Sequence, residues 1–193
     1  MDLLAASGSW IYDHGPIWFV TLALIVGATI DGIMLKVPNW LTFPFIISGW
    51  IFSICFPGEG NTWYGGLGYS LAGTAVAFLL LYPFCAINFM GAGDVKLLMG
   101  VGAWVYVTHT WYAFCVTVVI GAIMGVVMAW RAGEFEKHYA QFWLVINEVF
   151  VLRDPQKIAE VAAERKPSML LLPYGIPIAI GSIAYFAWMG LLV

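Results

Sequence analysis

The sequence predicts an all-α fold, a polytopic helical bundle embedded in a membrane. Of its 193 residues, 62% are hydrophobic, 17% are aromatic and only 10% are charged. A soluble domain carries about 25% charged residues, because its surface must be solvated. Several apolar stretches approach the roughly 20 residues that a helix needs to cross a bilayer. We therefore expect one membrane-embedded domain over residues 1–193, with about six transmembrane helices.

Polar turns and two aspartates delimit the first four predicted spans. Pro38 and Asn39 precede the second span, and a glycine-rich turn at residues 57–62 precedes the third. The first and fourth spans are short when only apolar residues are counted, so each is expected to include a charged residue at one end, Asp31 and Asp94 respectively. The predicted spans cover residues 16–31, 40–56, 67–87, 94–108, 111–130 and 169–192.

The connection at residues 131–168 has a helical pattern of its own. Apolar side chains recur from Phe135 to Phe150 at the spacing of one helical face, with polar residues between them. This pattern predicts an amphipathic helix that lies in the cytoplasmic interface of the membrane. Two interpretations stay open: the segment positions a membrane-embedded substrate, or it only connects two spans.

The basic residues predict the orientation of the bundle. Cytoplasmic loops of membrane proteins carry an excess of Lys and Arg. With six spans, all eight basic residues fall in the first, third and fifth connections, on one side of the membrane. We therefore expect both termini to face outward and both Asp31 and Asp94 to lie at the cytoplasmic edge. The basic residues are Lys36, Lys96, Arg131, Lys137, Arg153, Lys157, Arg165 and Lys166.

Several classes of site have no support in the sequence. The net charge of −3 and the lack of a basic stripe argue against nucleic acid as a partner. The three cysteines form no CxxC pair, and the three histidines form no HExxH motif, so neither a metal site nor a redox site is predicted. No serine stands in a GxSxG turn. We expect no cofactor, and a partner in the lipid bilayer itself.

Asp31 and Asp94 are the candidate catalytic residues. An aspartate at the centre of a membrane helix costs about 2.5–3.5 kcal/mol on insertion scales, so its presence near an apolar span is informative. Two facing carboxyl groups share one proton, because like charges a few ångströms apart cannot both ionise cheaply. The ionised group can then activate water, and the protonated group can polarise a scissile carbonyl.

Simpler roles remain open for the same residues. Asp31 can end a span as a solvated group, and Asp94 can be a helix N-cap, because Asp is favoured there. Lys96 is expected to be a cytoplasmic anchor. The neighbours Gly91 and Gly93 permit a positive φ and a close backbone approach, which would present Asp94 to a narrow cleft with room for an extended peptide.

Three motifs resemble those of the type IV prepilin peptidases, which are GxGD membrane aspartyl peptidases. The segment GAGDVKLL at residues 91–98 resembles the GxGD signature of that family. The segment that begins at Asp31 is similar to its first motif, an aspartate followed by a basic residue and Val-Pro-Asn. A third segment resembles its Pro-Tyr/Phe-Gly element. The residues that match are Asp31, Lys36, Pro38 and Asn39; Gly91, Gly93, Asp94 and Lys96; and Pro173, Tyr174 and Gly175.

The resemblance implies that Asp31 and Asp94 are the catalytic pair of an aspartic endopeptidase in the bacterial inner membrane. It implies prepilin substrates, whose basic leader is cleaved at the cytoplasmic side before a hydrophobic helix. Larger family members carry an N-terminal domain associated with methylation, often with CxxC motifs. About fifteen residues precede the first predicted span here and no CxxC motif is present, so methyltransferase activity is not expected. The short form is most similar to the peptidases of tight-adherence (Flp) pili, although archaeal preflagellin peptidases are also compact.

Two other classes of function remain open at this point. A proton-coupled transporter can also hold paired carboxylates within the membrane, but it is expected to show broken helices and an internal repeat. A non-catalytic membrane protein of a pilus or secretion machine is the second alternative. Cleavage of a prepilin would distinguish the peptidase from both.

Overall fold

The structure, a computed structural model, describes residues 2–57, 63–86, 90–131 and 173–192, with side chains from residue 14 in the first helix and from residue 65 in the third. Within these ranges the fold is all-helical. The helices are α1 (Asp2–Met34), α2 (Asn39–Cys55), α3 (Trp63–Ala86), α4 (Ala92–Arg131) and α5 (Gly175–Trp188). The predicted amphipathic helix, most of the turn at residues 57–62 and the start of the last predicted span lie outside the described residues.

The helices are apolar enough for a membrane, as the composition predicts. Three stretches are long enough to cross one: His14–Met34, Gly65–Ala86 and Ala92–Arg131. Helices α2 and α5 are apolar but shorter. Large apolar side chains are exposed around the bundle, where they would face lipid rather than water. Examples are Leu22, Trp40, Leu79, Ile123 and Trp188.

Helix α1 is longer than the predicted span at residues 16–31. It begins at Asp2, contains Pro16, and ends at Met34. Hydropathy locates the apolar part of a helix, whereas the helix itself continues while its backbone hydrogen bonds are made. It ends because Leu35 adopts a left-handed φ of 52°, while the Leu35 N–H still donates to the Asp31 carbonyl at 2.8 Å. Asp31 therefore lies in the last turn of the helix.

Helix α4 contains the two spans predicted at residues 94–108 and 111–130. It is interrupted at Tyr106, whose φ of 61° and ψ of −173° are not helical. The Tyr174 side chain lies against Gly121 and also interacts electrostatically with Asp94. A straight helix would separate Asp94 from Gly121 by about 40 Å. The two halves of α4 therefore run in opposite directions, and the reversal lies slightly before the turn expected near His109.

The first half of α4 is the centre of the bundle, and small residues bring the other helices close to it. Leu97, Leu98 and Val101 on this half are fully buried. A Cβ atom added to Gly49 of α2 would lie 2.8 Å from the Cβ of Ala103. Such close approach between backbones is typical of helix packing in membranes, where small residues form the interfaces.

Helix α5 packs along the second half of α4 in the opposite direction. Tyr174, just before α5, lies against Gly121, whereas Tyr185 accepts or donates a hydrogen bond with His109 Nδ1 at 2.8 Å. The start of α5 therefore lies at the same end of the bundle as Asp94. The C-terminal end of α1 reaches this end as well, because Gly27 packs against Leu97.

Candidate active site

Asp31 is a buried carboxylate in the last turn of α1. Its side chain is 2% exposed. One of its oxygens, Oδ2, accepts a hydrogen bond of 2.8 Å from the backbone N–H of Gly175, the first residue of α5. The possibility that Asp31 is a solvated helix end is therefore wrong, since the packing of α5 covers the carboxylate.

Asp94 is a buried carboxylate in the first turn of α4. Its Oδ2 accepts a hydrogen bond of 3.2 Å from the backbone N–H of Gly91, three residues earlier. The side chain thus reaches back to the start of its own helix, as the third helical residue does in a capping box; it is not the N-cap residue itself. The other oxygen, Oδ1, is buried with no hydrogen-bond partner among the described residues. A capping role alone does not explain why a carboxylate oxygen is buried without a partner.

The two carboxylates meet at the start of α5. Asp31 is close enough to Asp94 to interact with it electrostatically. The Gly175 N–H, which donates to Asp31, also faces Asp94. Among the described side chains, Asp31 and Asp94 are the buried charged residues. The fold thus brings the predicted pair together where α1, α4 and α5 meet.

The glycines before Asp94 allow a close backbone approach, but not by the expected conformation. Neither Gly91 nor Gly93 has a positive φ, so that part of the prediction is wrong. A Cβ atom added to Gly93 would lie 2.7 Å from the carbonyl oxygen of Val37. The glycine is required because the connection between α1 and α2 passes directly over the first turn of α4.

Two other residues of the first two motifs, Asn39 and Lys96, join α2 to α4. Lys96 Nζ donates a hydrogen bond of 2.9 Å to Asn39 Oδ1 and lies 4.6 Å from the centre of the Phe43 ring. Pro38 is the N-cap of α2, with an extended ψ of 148°. Lys36 is exposed at the surface. Lys96 therefore links α2 to α4, in addition to the role of cytoplasmic anchor that its charge predicts.

Val37 and Gly121 are two site residues that sequence analysis missed. Val37 is 2% exposed and covers Gly93. Gly121 gives room for Tyr174, whose hydroxyl would lie 3.3 Å from a Cβ atom there. Val37 lies inside the first motif, but an apolar residue gives no chemical signal. Gly121 lies in an apolar run that resembles any other membrane span.

A family model described as the type IV leader peptidase family matches residues 18–126. The matched segment contains both Asp31 and Asp94. The chain belongs to the type IV leader peptidase family. Comparisons with curated proteins and with solved structures give no match.

Membership of the type IV leader peptidase family implies that the protein is a peptidase. Within the described residues, His, Cys, Asp and Glu side chains form no group of three that would hold a metal ion. The matched segment ends before α5, so the Gly175 N–H reaches the carboxylates from outside it. The site therefore combines residues of the matched segment with the C-terminal helix.

Proposed function

We propose that this leader peptidase is an aspartic endopeptidase that cleaves Flp-like type IV prepilins at the cytoplasmic face of the bacterial inner membrane. The observation that carries the proposal is the meeting of two buried carboxylates, Asp31 and Asp94, in a member of this family. The substrate is a prepilin with a short basic leader followed by a hydrophobic helix.

The proposed chemistry uses one proton shared between the two carboxyl groups. The ionised group removes a proton from a water molecule as its oxygen attacks the scissile carbonyl carbon. The protonated group donates its proton to the carbonyl oxygen. Collapse of the resulting tetrahedral diol breaks the C–N bond, and the amine leaves with a proton from the pair. The products are the leader acid and the new amino terminus of the pilin.

The position of the pair agrees with a cytoplasmic leader. Lys36 and Lys96 lie close in sequence to the two aspartates, and basic residues stay preferentially in the cytoplasm. We therefore place the pair at the cytoplasmic edge of a bundle of six spans, in which α4 supplies two. A basic leader would wait on that side, and the hydrophobic helix of the prepilin would lie among the spans.

Single substitutions of the two aspartates test this proposal. Asp31→Asn and Asp94→Asn keep the size of each side chain but remove the proton-sharing pair, so each should abolish cleavage. The chain is co-expressed with candidate Flp-type prepilins, and loss of the leader is followed as a shift on a gel at matched membrane levels.

Thr42→Val is a matched control for these variants. Thr42 is fully buried, and its hydroxyl has no hydrogen-bond partner among the described residues. This substitution removes a buried polar group other than the two carboxylates, so processing should continue. Near-normal processing by either asparagine variant would contradict the two-aspartate mechanism. Failure of the unaltered chain to process any prepilin would instead favour a non-catalytic or transport function.

A further inference from the structure

The first turn of α5 has one backbone donor that the helix does not use. The first N–H groups of a helix have no partner within it. Here the N–H groups of Ile176 and Ile178 donate to the carbonyls of residues 173 and 174, and Pro177 has no N–H. The Gly175 N–H remains, and it donates to Asp31 Oδ2 at 2.8 Å. The local sequence of the helix thus leaves this donor free, and the packing of α1 against α5 directs it at the carboxylate.

The position also excludes a side chain. A Cβ atom added to Gly175 would lie 2.8 Å from Asp31 Oδ2 and 3.0 Å from the Asp31 Cβ. Real Cβ atoms essentially never approach another atom so closely, so either Asp31 or the start of α5 would have to move. Gly175 has no positive φ. It is glycine because the carboxylate occupies the space beside it.

The same N–H group is near both carboxylates. It faces Asp94 as well as Asp31, and the start of a helix carries partial positive charge that favours a nearby carboxylate. A displacement of Gly175 would therefore change the position of Asp31 relative to Asp94.

We infer that Gly175 is a positioning residue of the peptidase. Its N–H holds the Asp31 carboxylate in the correct position relative to Asp94, and its lack of a side chain leaves space for that carboxylate. The inference rests on the proposed function. It assigns the C-terminal helix, which lies outside the segment that matches the family, a direct part in the geometry of the reaction.

Gly175→Ala tests the inference, with Gly181→Ala as the matched control. Both residues lie in α5, and a Cβ atom on Gly181 would lie 2.6 Å from the backbone of Thr117, away from the carboxylates. Purified protein is assayed with a synthetic peptide that contains the leader and first helical residues of the prepilin cleaved in the co-expression test. Gly175→Ala should lower kcat at least about tenfold, with KM within about twofold, because catalysis depends steeply on geometry. Gly181→Ala should lower the melting temperature and leave kcat nearly unchanged.

A second variant removes the donor without adding bulk. Cell-free synthesis into liposomes with glycolic acid at position 175 replaces the N–H by an ester oxygen, and it too should lower kcat. Unchanged kcat in both position-175 variants would overturn the inference. Equal losses of kcat in Gly175→Ala and Gly181→Ala would also overturn it, because packing alone would then explain both. Failure of the unaltered chain to cleave would overturn the proposed function first, and the inference with it.

Discussion

Individual residues in this protein determine how closely the segments that carry the two aspartates approach each other. The connection between α1 and α2 packs against Gly93, where an added Cβ atom would lie 2.7 Å from the Val37 carbonyl oxygen. Val37 is only six residues from Asp31 along the chain, so the contact fixes α1 against the helix that carries Asp94. Gly93 is therefore a packing residue, and its contact with Val37 bears on how closely the two aspartates approach each other.

Gly93→Val should slow prepilin cleavage about a hundredfold, because a displacement of about 1 Å near reacting groups has an effect of that size. The branched side chain would push the Val37 backbone, and Asp31 with it, away from Asp94. Insertion into the membrane should be normal. Cleavage rates are measured at matched membrane levels.

Leu98→Val is the control for Gly93→Val. Leu98 is fully buried in the same helix, and the change removes a single methylene group, which costs about 1 kcal/mol of stability. Its cleavage rate should stay close to that of the unaltered chain. Equal rates for the two variants would mean that the approach of Val37 does not matter for the reaction.

At the scale of helices, the reversal within α4 places its second half and α5 beside the site. Tyr106 adopts φ 61° and ψ −173°, a region that is essentially restricted to glycine and that costs about 1–3 kcal/mol for other residues. Helix α3 packs tightly there, since a Cβ atom on Gly73 would lie 2.9 Å from the Tyr106 backbone. The packing of α3 helps to hold this conformation.

Replacing Tyr106 by glycine should give a more stable protein than replacing it by alanine, by about 1 kcal/mol or more. Both variants lose the aromatic ring, so the comparison isolates the effect of the Cβ atom on the backbone. In an ordinary helix interior alanine is the more stable residue by about 1 kcal/mol. Thermal unfolding in detergent measures the difference. A more stable alanine variant would show that position 106 is helical.

At the scale of the whole molecule, the two ends of the bundle carry different polar residues. One end holds both aspartates together with Lys96. At the opposite end, His14 Nδ1 donates a hydrogen bond of 3.1 Å to the Leu191 carbonyl. The first described side chain of α1 and the C-terminal residues therefore lie side by side, away from the aspartates.

Topology reporters should confirm the orientation that the basic residues predict. A fusion after Lys36 should report the cytoplasm, and fusions at Glu59 and at the C-terminus should report the outer side. The reason is the location of all eight basic residues on one side of the six-span arrangement. A cytoplasmic signal from the Glu59 fusion would overturn this arrangement and place the aspartates on the wrong face for a cytoplasmic leader.

The sequence by itself determined the membrane class and identified the two aspartates as the candidate catalytic residues. So few charged residues cannot solvate a soluble surface, and an aspartate next to an apolar span is costly enough to indicate a role. The motifs around Asp31 and Asp94 then indicated the family that the comparison confirmed.

The tertiary structure alone decided how these residues are held. The hydrogen bond from Gly175 to Asp31 joins residues 144 positions apart, and the contact of Val37 with Gly93 joins the α1–α2 connection to α4. The division of residues 94–130 into two spans predicted a reversal near His109, but its position at Tyr106 was not predicted, because the residues on both sides of it are apolar. Such contacts depend on which backbones pack within a few ångströms of each other. A linear pattern of polarity records burial, but it does not record that distance.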